Sequence, residues 1–454
     1  MNQHRRRFLA QTLRAACAGA GASLFGKLHA MQRASVESAP VPGDYKALVC
    51  VFLAGGNDSY NLVVPRGPAE YAAYEAARGD LAVAQPGLLP ITPATSDGRT
   101  FGLHPATPEL QALFAAQKLA IVANAGPLLA PMTKAQYQAG SVPKPKNLFS
   151  HSDQTVACQA QSAAADGGYG WAGRAADHLL ALNQGLALSP AITLAGSSRL
   201  LLGQTVIPYN LGWNGSVPLN GFSGSRGTRR LQAFRSLLSQ SHGNLLEKHF
   251  AEIQDQAMSL DTLIRTGLSG AAALSTVFPA TSLGRQLKMV ARMIGIRGAL
   301  GAARQVFYVV AWGWDTHSDQ TTSHPNLLAD LSHSLGAFQA ALGELGAESD
   351  VTTFTLSEFG RTLSSNGKGS DHGWGGHQLV LGGATRGGDI YGTMPDLAID
   401  GPNDVGRGRM LPTTAIDQYA ATLAKWFGLT PTQVATVFPR LGNFATGDLG
   451  FQKP

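Results

Sequence analysis

Four short clusters hold the side chains in this sequence that are equipped for chemistry. Trp312-Gly313-Trp314-Asp315-Thr316-His317 sets a carboxylate and an imidazole two residues apart. On an extended segment such residues share a face, so Asp315 and His317 reach one ion. Asp371-His372-Gly373-Trp374-Gly375-Gly376-His377 puts Asp371, His372 and His377 on one glycine-rich stretch. That grouping is costly to explain as packing and suits metal binding or acid–base work. Carboxylate with imidazole points to a divalent metal, zinc first, with manganese or calcium as alternatives.

The other two clusters add acids and an arginine. Gly55-Gly56-Asn57-Asp58 lets the backbone turn sharply, so that Asp58 points across the ends of strands. The plainer reading is a turn whose Asn and Asp satisfy the backbone. Ser357-Glu358-Phe359-Gly360-Arg361 offers the Glu358 carboxylate and, in Arg361, a forked donor for an oxyanion; a surface Glu-Arg pair three apart is the plain alternative. A nucleophile is harder to place. In Phe149-Ser150-His151-Ser152-Asp153 adjacent side chains point apart, so a Ser-His-Asp triad read from this run fails on geometry. Ser150 activated by a metal is preferred to Ser150 activated by His151, against a helix start capped by serine. His104 reads as a loop residue, and His324 and His333 as helix surface.

These clusters need a frame. Lys46–Ala54 is a continuous apolar run, the signature of a strand buried on both faces. Thr107 to Ala125 reads as helix then strand, with Thr107 as cap and Pro108 at the first helical position. Strands are expected over 305–312, 351–356 and 378–381, and helices over 326–345 and 414–427. Alternation of strand and helix implies an α/β fold with a mainly parallel sheet, and in open sheets of that kind ligands sit at the carboxyl ends of strands. A glycine- and serine-rich stretch followed by helical pattern, about 195–300, reads as an insertion.

The N-terminus has its own logic. Arg5-Arg6-Arg7-Phe8-Leu9 precedes a weakly apolar stretch that ends near Phe25 and is followed by Lys27. That order favours a twin-arginine signal over residues 1–30, then a linker over 31–44 and a single domain over 45–450. The expected partner during export is the Tat translocase, and the expected location is the periplasm or beyond. Formal net charge is +6, but Arg5, Arg6, Arg7, Arg14 and Lys27 supply most of it, with no acid before residue 37. The rest of the chain carries too little charge to imply a nucleic-acid partner. No run is long and apolar enough for a permanent membrane span. Beyond the signal the cysteines are Cys50 and Cys158, which either pair or stay as buried thiols.

Taken in order, the basic start, Phe52-Leu-Ala-Gly-Gly-Asn-Asp58, Leu103-His-Pro105, Ser150-His151, Gly170-Trp-Ala-Gly-Arg174, Trp314-Asp-Thr-His317, Ser357-Glu-Phe-Gly-Arg361 and Asp371-His-Gly-Trp374 resemble the bacterial exported family catalogued as domain of unknown function 1501. That family is grouped with the alkaline phosphatase and sulfatase superfamily. The resemblance implies an alkaline-phosphatase-like three-layer sandwich, helices on both faces of the sheet, and one or two divalent metals at the strand ends. It implies metal ligands at Asp58, Asp315, His317 and His372 or His377 and a nucleophile at Ser150, to which the residue chemistry adds Glu358 and Asp371 as candidate ligands, Arg361 on the oxyanion and a metal-bound water as the alternative nucleophile. One departure stands out: the superfamily's Asp-His pair directly after a strand is replaced here by Ser357-Glu358, and Asp371-His372 comes later. The expected activity is hydrolysis of phosphate or sulfate esters on a small-molecule or polymer substrate. The rival is a non-catalytic binding or assembly protein on the same fold.

Overall fold

The computed structural model describes residues 44–453 apart from 96, 161–167, 184–185, 187, 217–220, 223 and 241–242. The expected signal and all but the last residue of the expected linker lie outside the described residues. Fourteen strands follow in chain order: β1 (Lys46–Ala54), β2 (Val63–Pro65), β3 (Leu89–Ile91), β4 (Phe101–Leu103), β5 (Leu119–Gly126), β6 (Ala191–Thr193), β7 (Tyr209–Asn210), β8 (Arg304–Trp312), β9 (Val351–Leu356), β10 (Arg361–Ser365), β11 (Ser370–His372), β12 (Gly376–Leu381), β13 (Asp389–Tyr391) and β14 (Thr414–Ala415). The main sheet runs β13-β5-β12-β9-β1-β8-β6-β7, with β14 beside β5. β1 pairs in parallel with β8 on one side and β9 on the other. Only β12 runs against its neighbours, so the sheet is mixed and mainly parallel.

Alternation along β1 divides the core in two. Ala47, Val49, Val51 and Leu53 face a layer that includes Leu287, Val290, Leu331 and Phe338, from helices Ser282–Gly295 and Gln320–Glu344. Leu48, Cys50 and Phe52 face Trp171, Tyr419, Leu423 and Phe427, from helices Trp171–His178 and Ile416–Phe427. Side chains on a strand alternate faces, so a continuous apolar run fills both layers at once. The result is the expected three-layer sandwich. Each fully buried Leu or Val adds about 1.5–3 kcal/mol. Val49→Asp would put an unpaired carboxylate between helix and sheet, which a core of this kind does not tolerate.

Several elements differ in detail from their expected bounds. The helix expected from residue 326 begins at Gln320, with Pro325 inside it. A proline so near the start forfeits a single backbone hydrogen bond, and the added turn carries Gln320 and His324 inward. Thr414 and Ala415 form a short strand ahead of their helix. Thr107 does not cap: its hydroxyl donates to the His104 carbonyl at 2.8 Å. Cys50 is a buried thiol in β1, and the Cys158 thiol contacts the Thr155 carbonyl at 3.3 Å; burial pushes both thiols well up. Among the described residues no helix is long and apolar enough to cross a membrane.

Candidate metal centre

The carboxyl ends of β8, β1 and β9 lie side by side, and each leads into one of the polar clusters. Gly55 is where they meet. Its backbone N–H donates to Glu358 Oε1 at 2.8 Å, and its carbonyl accepts from Arg361 Nη1 at 3.0 Å. With φ at +124°, a Cβ on Gly55 would run into the Asp315 backbone. Only glycine permits both the left-handed backbone and this approach.

Above Gly55, donors of His151, Asp315 and His372 converge, and His317 lies against Asp315 and His372. Asp315 Oδ1 lies 3.1 Å from His317 Nε2, 3.4 Å from His372 Nε2 and 3.6 Å from His151 Nε2. His151, Asp315 and His372 offer atoms that all lie within 4.8 Å of one another. His317 Nε2 and His372 Nε2 are 2.8 Å apart. The other nitrogen of each ring is engaged behind the cluster. His151 Nδ1 meets Glu358 Oε1 at 2.9 Å, His317 Nδ1 meets Asp371 Oδ1 at 3.1 Å, and His372 Nδ1 meets the Phe149 carbonyl at 2.7 Å. An acceptor at Nδ1 holds the ring proton there, so each neutral ring turns a lone pair at Nε2 toward the anionic Asp315. Unshared pairs at such spacing repel unless a cation or a proton lies among them.

That donor set fits a divalent ion. Tetrahedral zinc, with bonds of about 2.0–2.1 Å, asks for donors roughly 3.3 Å apart, close to the separations around Asp315. Histidine ligands backed by carboxylate or carbonyl are the usual arrangement at such sites. Calcium takes a cage of oxygen donors, and three imidazoles do not suit it. Asp315 is accessible, while the arginine and the glutamate beneath the cluster are not. The Asp315 side chain is 45% exposed, but Arg361 is 0% and Glu358 4%.

Electrostatics follow this layering. The hydrogen bond to Glu358 raises His151 above the ordinary imidazole range. Burial pushes the Asp315 carboxyl up, but the Arg361 guanidinium, with His317 and His151, outweighs it and holds it low. Burial lowers His372.

The sequence-based candidates separate into three groups. Asp315, His317 and His372 converge. Glu358 and Asp371 stand behind them, orienting His151 and His317, while Asp371 also faces Arg407 at 3.3 Å. Asp58 and His377 are not brought in. Asp58 is fully buried against Arg78 of helix Pro68–Arg78 and against Gln320. His377 Nδ1 accepts the Asn124 N–H at 3.0 Å, which places the ring proton on Nε2 and leaves no lone pair for a metal.

Arg361 does not face an incoming oxyanion. Its guanidinium binds the Gly55 carbonyl, Asp315 Oδ1 at 2.7 Å and Ser370, so its work is to position Asp315. Ser150 precedes helix His151–Ala160 and donates to Asp153 Oδ2 at 2.6 Å, the arrangement of a helix-starting serine. His324 is buried, with Nε2 3.2 Å from Asn57 Oδ1, and is not helix surface.

His151 is the donor that sequence reasoning passed over, because the run Ser150-His151 drew attention to the hydroxyl. Its signal was its place at the head of a helix, where one imidazole projects without competition. Asn147 and Phe149 just before it adopt φ of +49° and +72°, uncommon for non-glycine residues; this bend aims the Phe149 carbonyl at His372. The displaced Asp371-His372 pair also finds its explanation. β10 and β11 form an antiparallel hairpin with Arg361 opposite His372, which folds the pair back over the end of β9.

The chain matches the model of the family described as Protein of unknown function (DUF1501) over residues 45–436, and it belongs to that family. No curated protein matches it. Among solved structures it is similar to a protein crystallised with k-i-k-neocarrahexaose, at 11% identity and TM-score 0.33, covering 86% of this chain and 74% of that one. It is also similar to a Bacteroides thetaiotaomicron protein of glycosaminoglycan metabolism, at 9% identity and TM-score 0.33 with the same coverage. A 2-O glycosaminoglycan sulfatase matches at 10% identity and TM-score 0.29, covering 87% and 74%. At those TM-scores the likeness is too distant to transfer a site or a substrate.

Proposed function

We propose that this protein is an exported, metal-dependent hydrolase of phosphate or sulfate esters. The observation that carries the reading is the convergence of His151, His317 and His372 on Asp315, each ring held by an acceptor at Nδ1. Those four residues would hold zinc or manganese, which supplies charge neutralisation on the ester oxygen and a lowered pKa for attacking water.

The chain's own groups do the remaining work. Glu358, Asp371 and the Phe149 carbonyl keep the ring protons at Nδ1, so that all three imidazoles present lone pairs together. Arg361 holds Asp315 in place. Arg407, 71% exposed beside Asp371, binds the anionic group of the substrate. Water is the attacking group, since the Ser150 hydroxyl is committed to Asp153. Export rests on Arg5-Arg6 before Phe8-Leu9, with the Tat translocase as the partner in transit.

The test combines metal analysis of the purified protein with turnover of aryl phosphate, phosphodiester and aryl sulfate esters, each metal form assayed separately. Stoichiometric metal with turnover supports the hydrolase. Stoichiometric metal without turnover by any form assigns the fold to a binding or assembly protein. Absence of bound metal after reconstitution refutes both the centre and the hydrolase.

A further inference from the structure

Two separate stretches of chain carry the candidate ligands Asp315, His317 and His372: Asp315-Thr316-His317 just past β8, and β11 with Ser370-Asp371-His372. Their backbones touch directly. The Ser370 N–H donates to the Thr316 carbonyl at 3.2 Å, and a Cβ on Gly369 would lie 2.2 Å from that same oxygen, so only glycine permits the approach. Gln320, at the start of helix Gln320–Glu344, fills the angle between them. Its Oε1 accepts from the Ser370 hydroxyl at 2.5 Å and from the Thr316 hydroxyl at 3.2 Å. Thr316 stands between Asp315 and His317, and Ser370 stands two residues before His372. The Ser370 hydroxyl oxygen also accepts from Arg361 Nε at 3.4 Å, and the same guanidinium holds Asp315 at 2.7 Å. One amide oxygen therefore ties both ligand-bearing segments together.

Asp58 decides which way that amide points. Gln320 Nε2 donates to Asp58 Oδ2, and the carboxylate, paired with Arg78, can only accept. A flipped amide would set Oε1 against an anion in the core, leaving two buried acceptors face to face. Asp58, Arg78, Thr316, Gln320 and Ser370 are all buried, so bulk water does not stand in for a lost partner. The Asp58 carboxylate, which is no part of the donor cluster, thus has a use: it orients the side chain that joins the cluster's two halves.

We propose that Gln320 is a positioning residue of the proposed metal centre, setting the Asp315-Thr316-His317 segment against the His372 strand, with Asp58 fixing the orientation of its amide. The inference rests on the metal reading above and adds to it the group that sets the spacing of the ligands.

The experiment is titration of the full chain with cobalt(II), read by its visible ligand-field bands, which report both affinity and coordination geometry. It compares wild type with Gln320→Met, Ser370→Ala, Gln320→Met/Ser370→Ala and Leu331→Ala. Leu331 is buried on the same helix but faces the apolar layer, so its variant reports loss of packing alone. Gln320→Met should weaken cobalt(II) by on the order of tenfold or more, as lost outer support of metal ligands does, and should alter the bands. Leu331→Ala should lower the melting temperature yet leave affinity within about twofold of wild type. The double variant should be no weaker than Gln320→Met by more than about twofold, because the two side chains act through one hydrogen bond. Wild-type affinity and bands in Gln320→Met overturn the proposal, as does an equal loss of affinity in Leu331→Ala. If Gln320→Met does not fold, Thr316→Val and Ser370→Ala each remove one hydroxyl from the same oxygen, and wild-type affinity in both overturns it. A wild type that binds no cobalt(II) refutes the centre itself and this inference with it, an outcome distinct from a centre that binds and ignores Gln320.

Discussion

Arg361 and Asp315 form the pair on which the proposed metal centre rests. The guanidinium is fully buried, the carboxylate is 45% exposed, and they meet at 2.7 Å. A buried cation thus fixes an accessible anion from below. The geometry separates support from ligand, and the two should respond differently to substitution.

For the ligands, His151→Ala and His372→Ala should each lower bound metal well below one per chain. The effect should be visible by elemental analysis of protein reconstituted with zinc. A metal held only by the folded chain stabilises it, so its loss should lower the melting temperature as well, and chelation of the wild type should do the same; saturation at a hundredfold over Kd adds about 2.7 kcal/mol. Full metal content in both variants would remove these residues from the centre.

For the support, Arg361→Ala strips the partner from Asp315 and leaves the Gly55 carbonyl without its side-chain donor. With the carboxylate half exposed the ion pair itself is worth about 0–1 kcal/mol, but the Gly55 and Ser370 carbonyls lose a donor at about 1–3 kcal/mol for a buried group left unpaired, so both stability and metal affinity should fall. Arg407→Ala, at an exposed position, should leave stability within about 0.5 kcal/mol and raise KM for anionic esters. Thermal melts and steady-state kinetics on both variants separate the two roles; a large loss of stability in Arg407→Ala would contradict the assignment.

Acid should unfold the protein through its buried imidazoles. Burial holds His104 and His324 down to about 4, and His377 to about 3. Below the ordinary value of about 6.5 the unfolded chain takes up protons that the native state refuses. The stability these groups contribute is therefore complete above pH 6.5 and lost as pH falls toward 4. At about 1.4 kcal/mol per unit, His324 alone accounts for on the order of 3 kcal/mol. His324→Gln should flatten the melting profile between pH 6.5 and 4, and an unchanged slope would show that this histidine is not the acid-sensitive element.

Asp417 has the opposite sign. Burial raises its carboxyl to about 6, Arg440 only partly compensating at 3.7 Å, and neither carboxylate oxygen has a hydrogen bond. Between about 3.8 and 6 the native state binds the proton and the unfolded state does not, so this group's contribution falls as pH rises through that window. Asp417→Asn should raise the melting temperature at pH 7.5 and change it little at pH 4. A variant equally stable with wild type at both pH values would mean that the carboxylate is solvated in solution.

Export has a direct readout. Arg5→Lys together with Arg6→Lys should leave the precursor in the cytoplasm, as cell fractionation would show. Normal delivery of the double variant to the periplasm would refute the twin-arginine route.

Much of the frame was legible in the residues themselves. An uninterrupted apolar run such as Lys46–Ala54 can be buried only by layers on both faces, so β1 and the sandwich around it follow from local chemistry, and Asp315 and His317 lie just past β8 for the same reason. What the sequence could not settle was which distant groups share a centre. Asp58 carries the same carboxylate as Asp315, yet Arg78 and Gln320 enclose one while Arg361 lifts the other toward solvent. His377 and His372 are close neighbours in sequence, but the Asn124 N–H takes the lone pair of one and the Phe149 carbonyl frees that of the other. Ligand capacity is decided by what lies behind each ring, and that environment comes from strands and loops hundreds of residues apart in the chain. Only the tertiary structure brings them together.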